Sequence, residues 1–246
     1  TLRIKLGGYG MKAILLAGGR GTRISRYIGE SPKPVLDIGG IPLIRHTVEL
    51  LLKNNIEVIV VIGYKKEMVV NSLQGLSVKY YYNPFYDITN SIASLWFAKK
   101  ELYNDDIIIA NADVFWEQDI LDVILQDKQD QVMLMDSSKD MDYLFKCDGT
   151  RLINHGKGLE DFTGEYVGIA KIGQAFLNKF LGRLEILIEK QQHNLWWENV
   201  LYSFIDELPI NVKDVRGLFW SEIDFIEDYI RIVEYRKQKS EKPLVG

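Results

Sequence analysis

The chain carries an abrupt glycine-rich turn directly after an apolar run: Leu16-Ala17 leads into Gly18-Gly19-Arg20-Gly21-Thr22-Arg23. Glycines at such a point let the main chain approach an anion, and the N–H groups of the turn can cradle phosphates. Cations accompany it. Arg20 and Arg23 lie in the turn, and Lys33 follows in Ser31-Pro32-Lys33-Pro34, where two prolines restrict its backbone. Together with the Thr22 hydroxyl, these side chains suit a triphosphate. Two familiar phosphate motifs fail here. A dinucleotide fingerprint started at Gly19 would need glycine where Ile24 stands, and no Gly-Lys-Ser/Thr closes the loop, so NAD and Walker-type ATP use are disfavoured.

Carboxylates come next. Asp113, in Asn111-Ala112-Asp113, stands just past an apolar run, and Asp224 lies in Ser221-Glu222-Ile223-Asp224. Magnesium favours one or two carboxylates completed by phosphate oxygens and water, which these positions could supply. Asp224 with Glu227 equally fits a capping box at the start of a helix, and capping and ligation use different oxygens. Asn83, Asn90 and Ser91 bring amides and a hydroxyl able to read a base edge, whereas Tyr80 and Tyr82 fit strand packing. Late in the chain, Leu195-Trp196-Trp197-Glu198-Asn199 and Phe219-Trp220-Ser221-Glu222 set aromatics beside acids. Such faces suit an amine cation, at about 0.5 to 2 kcal/mol per contact. At least one of Trp196 and Trp197 is expected to pack under the sheet instead.

These groups need a frame. An apolar strand over 12–17 is followed by a helix over 42–54, a strand over 58–62, a short helix over 66–73, a strand over 78–82, a helix over 91–102 and a strand over 107–110. Strand, helix, strand implies parallel crossovers and a doubly wound α/β half, with ligands gathering beyond the carboxyl ends of the strands. After about residue 137, short strands over 143–146, 151–154 and 166–172 imply a mixed or antiparallel extension of the sheet. Helices are expected over 174–191, over 196–205 and from 224 onward. The fold class is therefore α/β: a Rossmann-like, doubly wound, mostly parallel mixed sheet with helices on both faces.

Composition excludes other classes. The 246 residues are 47% hydrophobic and 26% charged, which rules out disordered and fibrous chains, and no repeat or long linker divides them. A net charge of -4 leaves no electrostatic footprint for nucleic acid or an anionic membrane. Cys147 has no partner for a disulfide, the three histidines show no zinc spacing, and no run approaches the ~20 apolar residues of a membrane helix, so a cytoplasmic protein is expected. Residues 1–10 read as a leader or tag, with a short extra strand as the alternative, and 11–246 as a single domain. A homodimer is compatible with the sequence.

The segment Leu16 to Arg23, followed by Pro32-Lys33-Pro34, resembles the signature of the NTP-transferase superfamily, the nucleotidyltransferases that make nucleotide sugars and CDP-alcohols. The likeness runs from residue 11 to about residue 237. The later segments are most similar to the CTP:phosphocholine cytidylyltransferases of bacterial surface-polysaccharide pathways. The resemblance implies a nucleotide-diphospho-sugar transferase-like fold, with 11–136 as the nucleotide-binding half and 137–246 as the acceptor-binding half. It implies an enzyme that uses CTP as co-substrate and Mg²⁺ as cofactor, joins CTP to a small phosphorylated amine or alcohol and releases pyrophosphate.

Carried over residue by residue, the resemblance assigns Leu16, Ala17, Gly18, Gly19, Gly21, Thr22 and Ala112 to the nucleotide, and Arg23 and Lys33 to catalysis. Asp113 and Asp224 are assigned to the metal. Ala112 replaces the glycine that many relatives have before the metal aspartate, as in the phosphocholine branch. Asn83, Asn90 and Ser91 would hold base and ribose, and Trp197, Glu198, Trp220 and Glu222 would surround the acceptor's amine. Aminoethylphosphonate, phosphoethanolamine and phosphoglutamine are alternative acceptors. A sugar-1-phosphate nucleotidyltransferase is the rival enzyme and would read its sugar through polar contacts. A silent binding module would lack Arg23, Lys33, Asp113 or Asp224, and all of these are present.

Overall fold

The computed structural model describes residues 10–20 and 24–241. Gly21, Thr22 and Arg23, and residues 1–9 of the expected leader, lie outside the described residues.

Three near-continuous aliphatic segments make the central strands: β1 (Met11–Ala17), then β2 (Glu57–Ile62) after helices α1 (Ser25–Ile28) and α2 (Leu43–Lys53), and further on β4 (Asp106–Asn111). Their side chains are buried on both faces, the pattern of parallel strands covered by helices. Between β2 and β4 lie α3 (Lys66–Ser72), β3 (Val78–Tyr82) and α4 (Ser91–Phe97). The chain continues through β5 (Val114–Phe115), α5 (Gln118–Gln126), β6 (Gln131–Asp136), β7 (Tyr143–Asp148), β8 (Arg151–Lys157), β9 (Gly164–Ile172), α6 (Gln174–Glu189), α7 (Asn199–Tyr202), β10 (Val212–Asp214), β11 (Ser221–Glu222) and α8 (Ile226–Glu241).

The main sheet runs β10-β6-β9-β4-β1-β2-β3, with the β7–β8 hairpin attached through β7 to β9. β1 pairs in parallel with both β2 and β4, so the chain leaves it to one side and returns on the other. That reversal opens a crevice at the carboxyl ends of β1 and β4. β9 is antiparallel to β4 and to β6, which is the mixed extension expected from the sequence. Apolar faces of α4, α6 and α7 cover one side of the sheet through Leu95, Phe180 and Val200; α2, α3 and α5 cover the other through Val48, Val69 and Ile124. The layers are those of a doubly wound α/β fold.

Several boundaries differ from expectation. α4 ends at Phe97 and passes into a 3-10 turn at Lys99–Glu101. Of the helix expected over 196–205, only Asn199–Tyr202 is α-helical, because Trp197 N–H turns away to donate to Ser91 Oγ at 2.9 Å. β6, flanked by polar residues and buried at every position without alternation, went unread, as did the three-residue β10 and the two-residue β5–β11 pair, which carry too little periodicity. Among the described residues no helix is long and apolar enough to cross a membrane.

Candidate active site

The carboxyl ends of β1 and β4 open onto one cleft, lined by Leu16, Ala17, Gly18 and Gly19 on one side and by Lys33, Asp113 and Asp224 on another. Gly18 sits close against the next crossover because Gly63, just after β2, has no side chain. A Cβ at Gly63 would lie 2.8 Å from the Gly18 carbonyl oxygen and 2.9 Å from Tyr86 Cβ. Tyr64 N–H closes this contact by donating to the Gly18 carbonyl at 3.1 Å. Arg20 pairs with Asp87 at 2.7 Å, an exposed pair of small energetic weight.

Lys33 opens a 3-10 turn, Lys33–Val35, behind Pro32, whose extended backbone prevents a longer helix. Its Nζ donates to Asp224 Oδ1 at 2.7 Å and to Asp113 Oδ2 at 3.2 Å, with 8% of the side chain exposed. Burial alone would pull this ammonium's pKa down; Asp113 and Asp224 more than reverse that and hold it above the usual lysine range.

A two-stranded antiparallel ribbon joins the distant aspartates. β5 pairs with β11, setting Val114 opposite Glu222, and Ile223 N–H donates to the Asp113 carbonyl at 3.0 Å. The capping box expected of Asp224 and Glu227 is not what the helix uses. Asp228 Oδ2 instead accepts from Asp224 N–H at 3.1 Å and from Phe225 N–H at 2.8 Å, while the Asp224 carboxylate is directed to Lys33. Asp142, Glu222 and Asp224 offer carboxylate oxygens within 4.8 Å of one another. Burial, then Asp113 and Asp224, push the Glu222 carboxyl well above the ordinary range. Asp224 is paired with Lys33 and Asp142 with Lys157 at 2.7 Å, and this group of hard oxygens fits a divalent cation such as Mg²⁺.

Beyond the acids, aromatic rings wall the far end of the cleft. Tyr143, Trp196 and Tyr202 line it together with Glu198 and Lys157. Tyr143 stands edge-on to Trp196 with ring centroids 5.4 Å apart and is stacked with Tyr202 at 5.8 Å. His155 fixes both tyrosines from behind: its ring lies 3.8 Å from that of Tyr202, and its Nδ1 is 2.8 Å from the Tyr143 hydroxyl. Glu198 is buried, and burial pushes its carboxyl up to about 7. Asn111, at the end of β4, donates from Nδ2 to Glu198 Oε1 at 3.2 Å and accepts the Trp197 indole N–H on Oδ1 at 3.0 Å.

Asn90 and Ser91 line the cleft as expected positions, with Asn90 capping α4 by accepting from Ser91 N–H. Glu198 and Glu222 line it as well. Four assignments need correcting. Trp197 is fully buried and holds Asn111; Trp196, 39% exposed, faces the cleft instead. Trp220 is buried, donates to Asp136 Oδ2 and carries Lys139 on its face at 3.7 Å from the ring centroid, so it lies outside the cleft lining. Asn83 is buried too: its amide donates to Thr89 Oγ1 and Ser94 Oγ, each at 3.0 Å, and its carbonyl accepts from Phe85 N–H, so it shapes the loop and lies behind the cleft lining. Ala112 is buried, and its neighbours Asn111 and Asp113 face the cleft.

Sequence reasoning missed Tyr166, Lys157 and Tyr202. The signal for Tyr202 was its spacing of one helical turn from Glu198. Lys157 sits opposite Tyr143 in the hairpin register, which only the β7–β8 pairing reveals.

Known proteins show the same organisation. Choline-phosphate cytidylyltransferase of Streptococcus pneumoniae (strain ATCC BAA-255 / R6) is 27% identical over 241 residues, spanning 94% of this chain and 100% of that protein. CTP:phosphoglutamine cytidylyltransferase of Campylobacter jejuni subsp. jejuni serotype O:2 (strain ATCC 700819 / NCTC 11168) is 26% identical over 248 residues, spanning 89% and 97%. Among solved structures, the CTP:phosphocholine cytidylyltransferase from Streptococcus pneumoniae superposes with a TM-score of 0.78 at 22% identity, covering 92% of this chain and 99% of that one. The inositol-1-phosphate CTP transferase from T. maritima gives 0.75 at 19% identity, covering 95% and 98%. Those likenesses establish the fold, and the match of residues 13–208 to the MobA-like NTP transferase domain settles the family: this chain is one of those nucleotidyltransferases.

Proposed function

We propose that the protein is a cytidylyltransferase that joins CTP to a small phosphorylated amine of the phosphocholine class, giving a CDP-linked product and pyrophosphate. One observation carries the reading: the cleft that opens on Gly18, Gly19 and Lys33 ends in three aromatic faces, Tyr143, Trp196 and Tyr202, set among the carboxyl groups of Asp142, Glu198 and Glu222. An amine cation calls for aromatic faces and counter-charge; the rings supply the faces and Glu198, when ionised, the counter-charge, while Asp142 is paired with Lys157 at 2.7 Å.

The chemistry asks little of the protein in covalent terms. A phosphate oxygen of the acceptor attacks the α-phosphorus of CTP, the bond from that phosphorus to the bridging oxygen of the β-phosphate breaks, and pyrophosphate departs. A phosphate monoester is already ionised near neutral pH, so no general base is needed. The backbone at Gly18 and Gly19 orients the triphosphate. Lys33 brings a fixed positive charge to the phosphates, stabilising charge that builds as the leaving group separates. Asp113 and Asp224, with Glu222 and Asp142 beside them, would hold Mg²⁺, which supplies Lewis-acid neutralisation of the phosphate oxygens when bound. At the other end Glu198 offers counter-charge to the amine while Tyr143, Trp196 and Tyr202 exclude water from it.

The test is a turnover panel. Purified protein with Mg²⁺ is given CTP or UTP against phosphocholine, phosphoethanolamine, aminoethylphosphonate, phosphoglutamine and glucose 1-phosphate, with pyrophosphate release and product mass recorded. Turnover with CTP and a phospho-amine is expected; turnover confined to glucose 1-phosphate would overturn the reading.

A further inference from the structure

The position of Lys33 bears on how the cation and the nucleotide reach the cleft, an inference that rests on the assignment of Asp113 and Asp224 to the metal. The ammonium of Lys33 occupies the space between those two carboxylates, 2.7 Å from Asp224 Oδ1 and 3.2 Å from Asp113 Oδ2. A magnesium ion binds carboxylate oxygens at roughly 2.0–2.1 Å, so both carboxylates would have to close on an ion held between them, leaving no room for the ammonium that now lies there. The two cations exclude each other by space and by charge. The backbone of Lys33 is held in a 3-10 turn that follows Pro32 and includes Pro34, which leaves motion to the four-carbon side chain. The side chain is 8% exposed, so its ammonium has little water to retreat to within the cleft. Its stable alternative is another anion, and the phosphates of a nucleotide at Gly18 and Gly19 would provide one.

We propose that Lys33 is a built-in occupant of the metal position: in the nucleotide-free protein it fills the gap between Asp113 and Asp224, and it withdraws only when a triphosphate takes over its ammonium. The cation is then no resident cofactor. It enters with the nucleotide, the form of substrate that binds is the metal–triphosphate complex, and free divalent ion alone binds weakly. The same lysine that screens the phosphates during transfer keeps the acids from repelling one another beforehand.

The experiment measures Mn²⁺ binding to nucleotide-free protein, by the free-ion signal in electron paramagnetic resonance, for the wild type, Lys33→Met, and Lys33→Met combined with Asp113→Asn. Lys33→Met is expected to bind Mn²⁺ at least ~10-fold more tightly than the wild type, within the ordinary range of coupling between sites, and the double variant is expected to lose that gain. Equal affinity in wild type and Lys33→Met, or a gain that survives Asp113→Asn, would overturn the proposal. Lys33→Gln is compared in the same way should the methionine variant fold poorly, again with tighter binding expected and equal binding refuting. CTP binding is titrated separately: its failure would refute the proposed function, while the Mn²⁺ comparison still decides the role of the lysine.

Discussion

Replacing Glu198 by glutamine should make the protein more stable and less active, and the pH dependence of the first effect identifies its cause. Burial lifts the Glu198 carboxyl from the ordinary 4.5 to about 7. Below pH 4.5 the group is protonated in folded and unfolded chains alike, and the stability associated with its protonated form is fully present. As pH rises toward 7 the unfolded chain gives up its proton first, and that stability is lost. At 1.36 kcal/mol per pH unit the loss is about 3 kcal/mol by pH 8. A glutamine side chain never ionises, and its carbonyl can still accept from Asn111 Nδ2. Glu198→Gln should therefore gain up to about 3 kcal/mol over the wild type at pH 8, seen as a Tm higher by roughly 5–10 °C, and much less at pH 5. Phosphocholine turnover should fall at the same time, since the amine loses a counter-charge, a trade common at functional sites. Paired thermal melts at pH 5, 6, 7 and 8 make the measurement. A Tm difference that does not change with pH, or a glutamine variant less stable at pH 8, would refute the reasoning.

Other perturbations separate the roles within the cleft. Lys33→Ala should lower kcat by ~10²–10³, the scale seen when a group that stabilises transition-state charge is removed, with the melting curve checking that the fold survives. Trp196→Ala should raise the phosphocholine KM by roughly 3- to 30-fold with little change in Tm, while Trp197→Ala, which empties a fully buried site and strips Asn111 of its donor, should cost about 3–5 kcal/mol of stability in denaturant unfolding. Gly63→Ala should force the Gly18 backbone or Tyr86 aside, costing about 1–3 kcal/mol in the same unfolding assay and raising the KM for CTP more than that for the acceptor.

The fold was legible where the chain repeats one pattern long enough. β1, β2 and β4 announce themselves as aliphatic runs, and α2 as a helix with Leu43, Val48 and Leu51 on one face; each was expected within a residue or two. The β5–β11 ribbon was not legible, since two residues per strand have no period to read, yet it is what brings Asp224 to Asp113. That Asp113 and Asp224 share one metal site was implied by the family resemblance, and for Asp113 also by its place just past a buried strand; their ion pairs with Lys33 were not expected. Aromatic residues were the weakest point. Trp196 and Trp197 are neighbours in sequence and point oppositely because the turn before α7 is irregular, so neither helical nor strand spacing could rank them. Asn83 misled for a related reason: an amide in a loop can read a base or tie the loop to itself, and here Thr89 and Ser94 take both amide hydrogens while Phe85 N–H donates to the oxygen.

Most direct for the whole account is a crystal structure with a non-hydrolysable CTP analogue and Mn²⁺, the ion located by its anomalous scattering. The account predicts the manganese peak between Asp113 and Asp224, triphosphate oxygens against Gly18 and Gly19, and the Lys33 ammonium moved onto a phosphate. A manganese peak away from both aspartates, or a nucleotide bound elsewhere on the molecule, would contradict it.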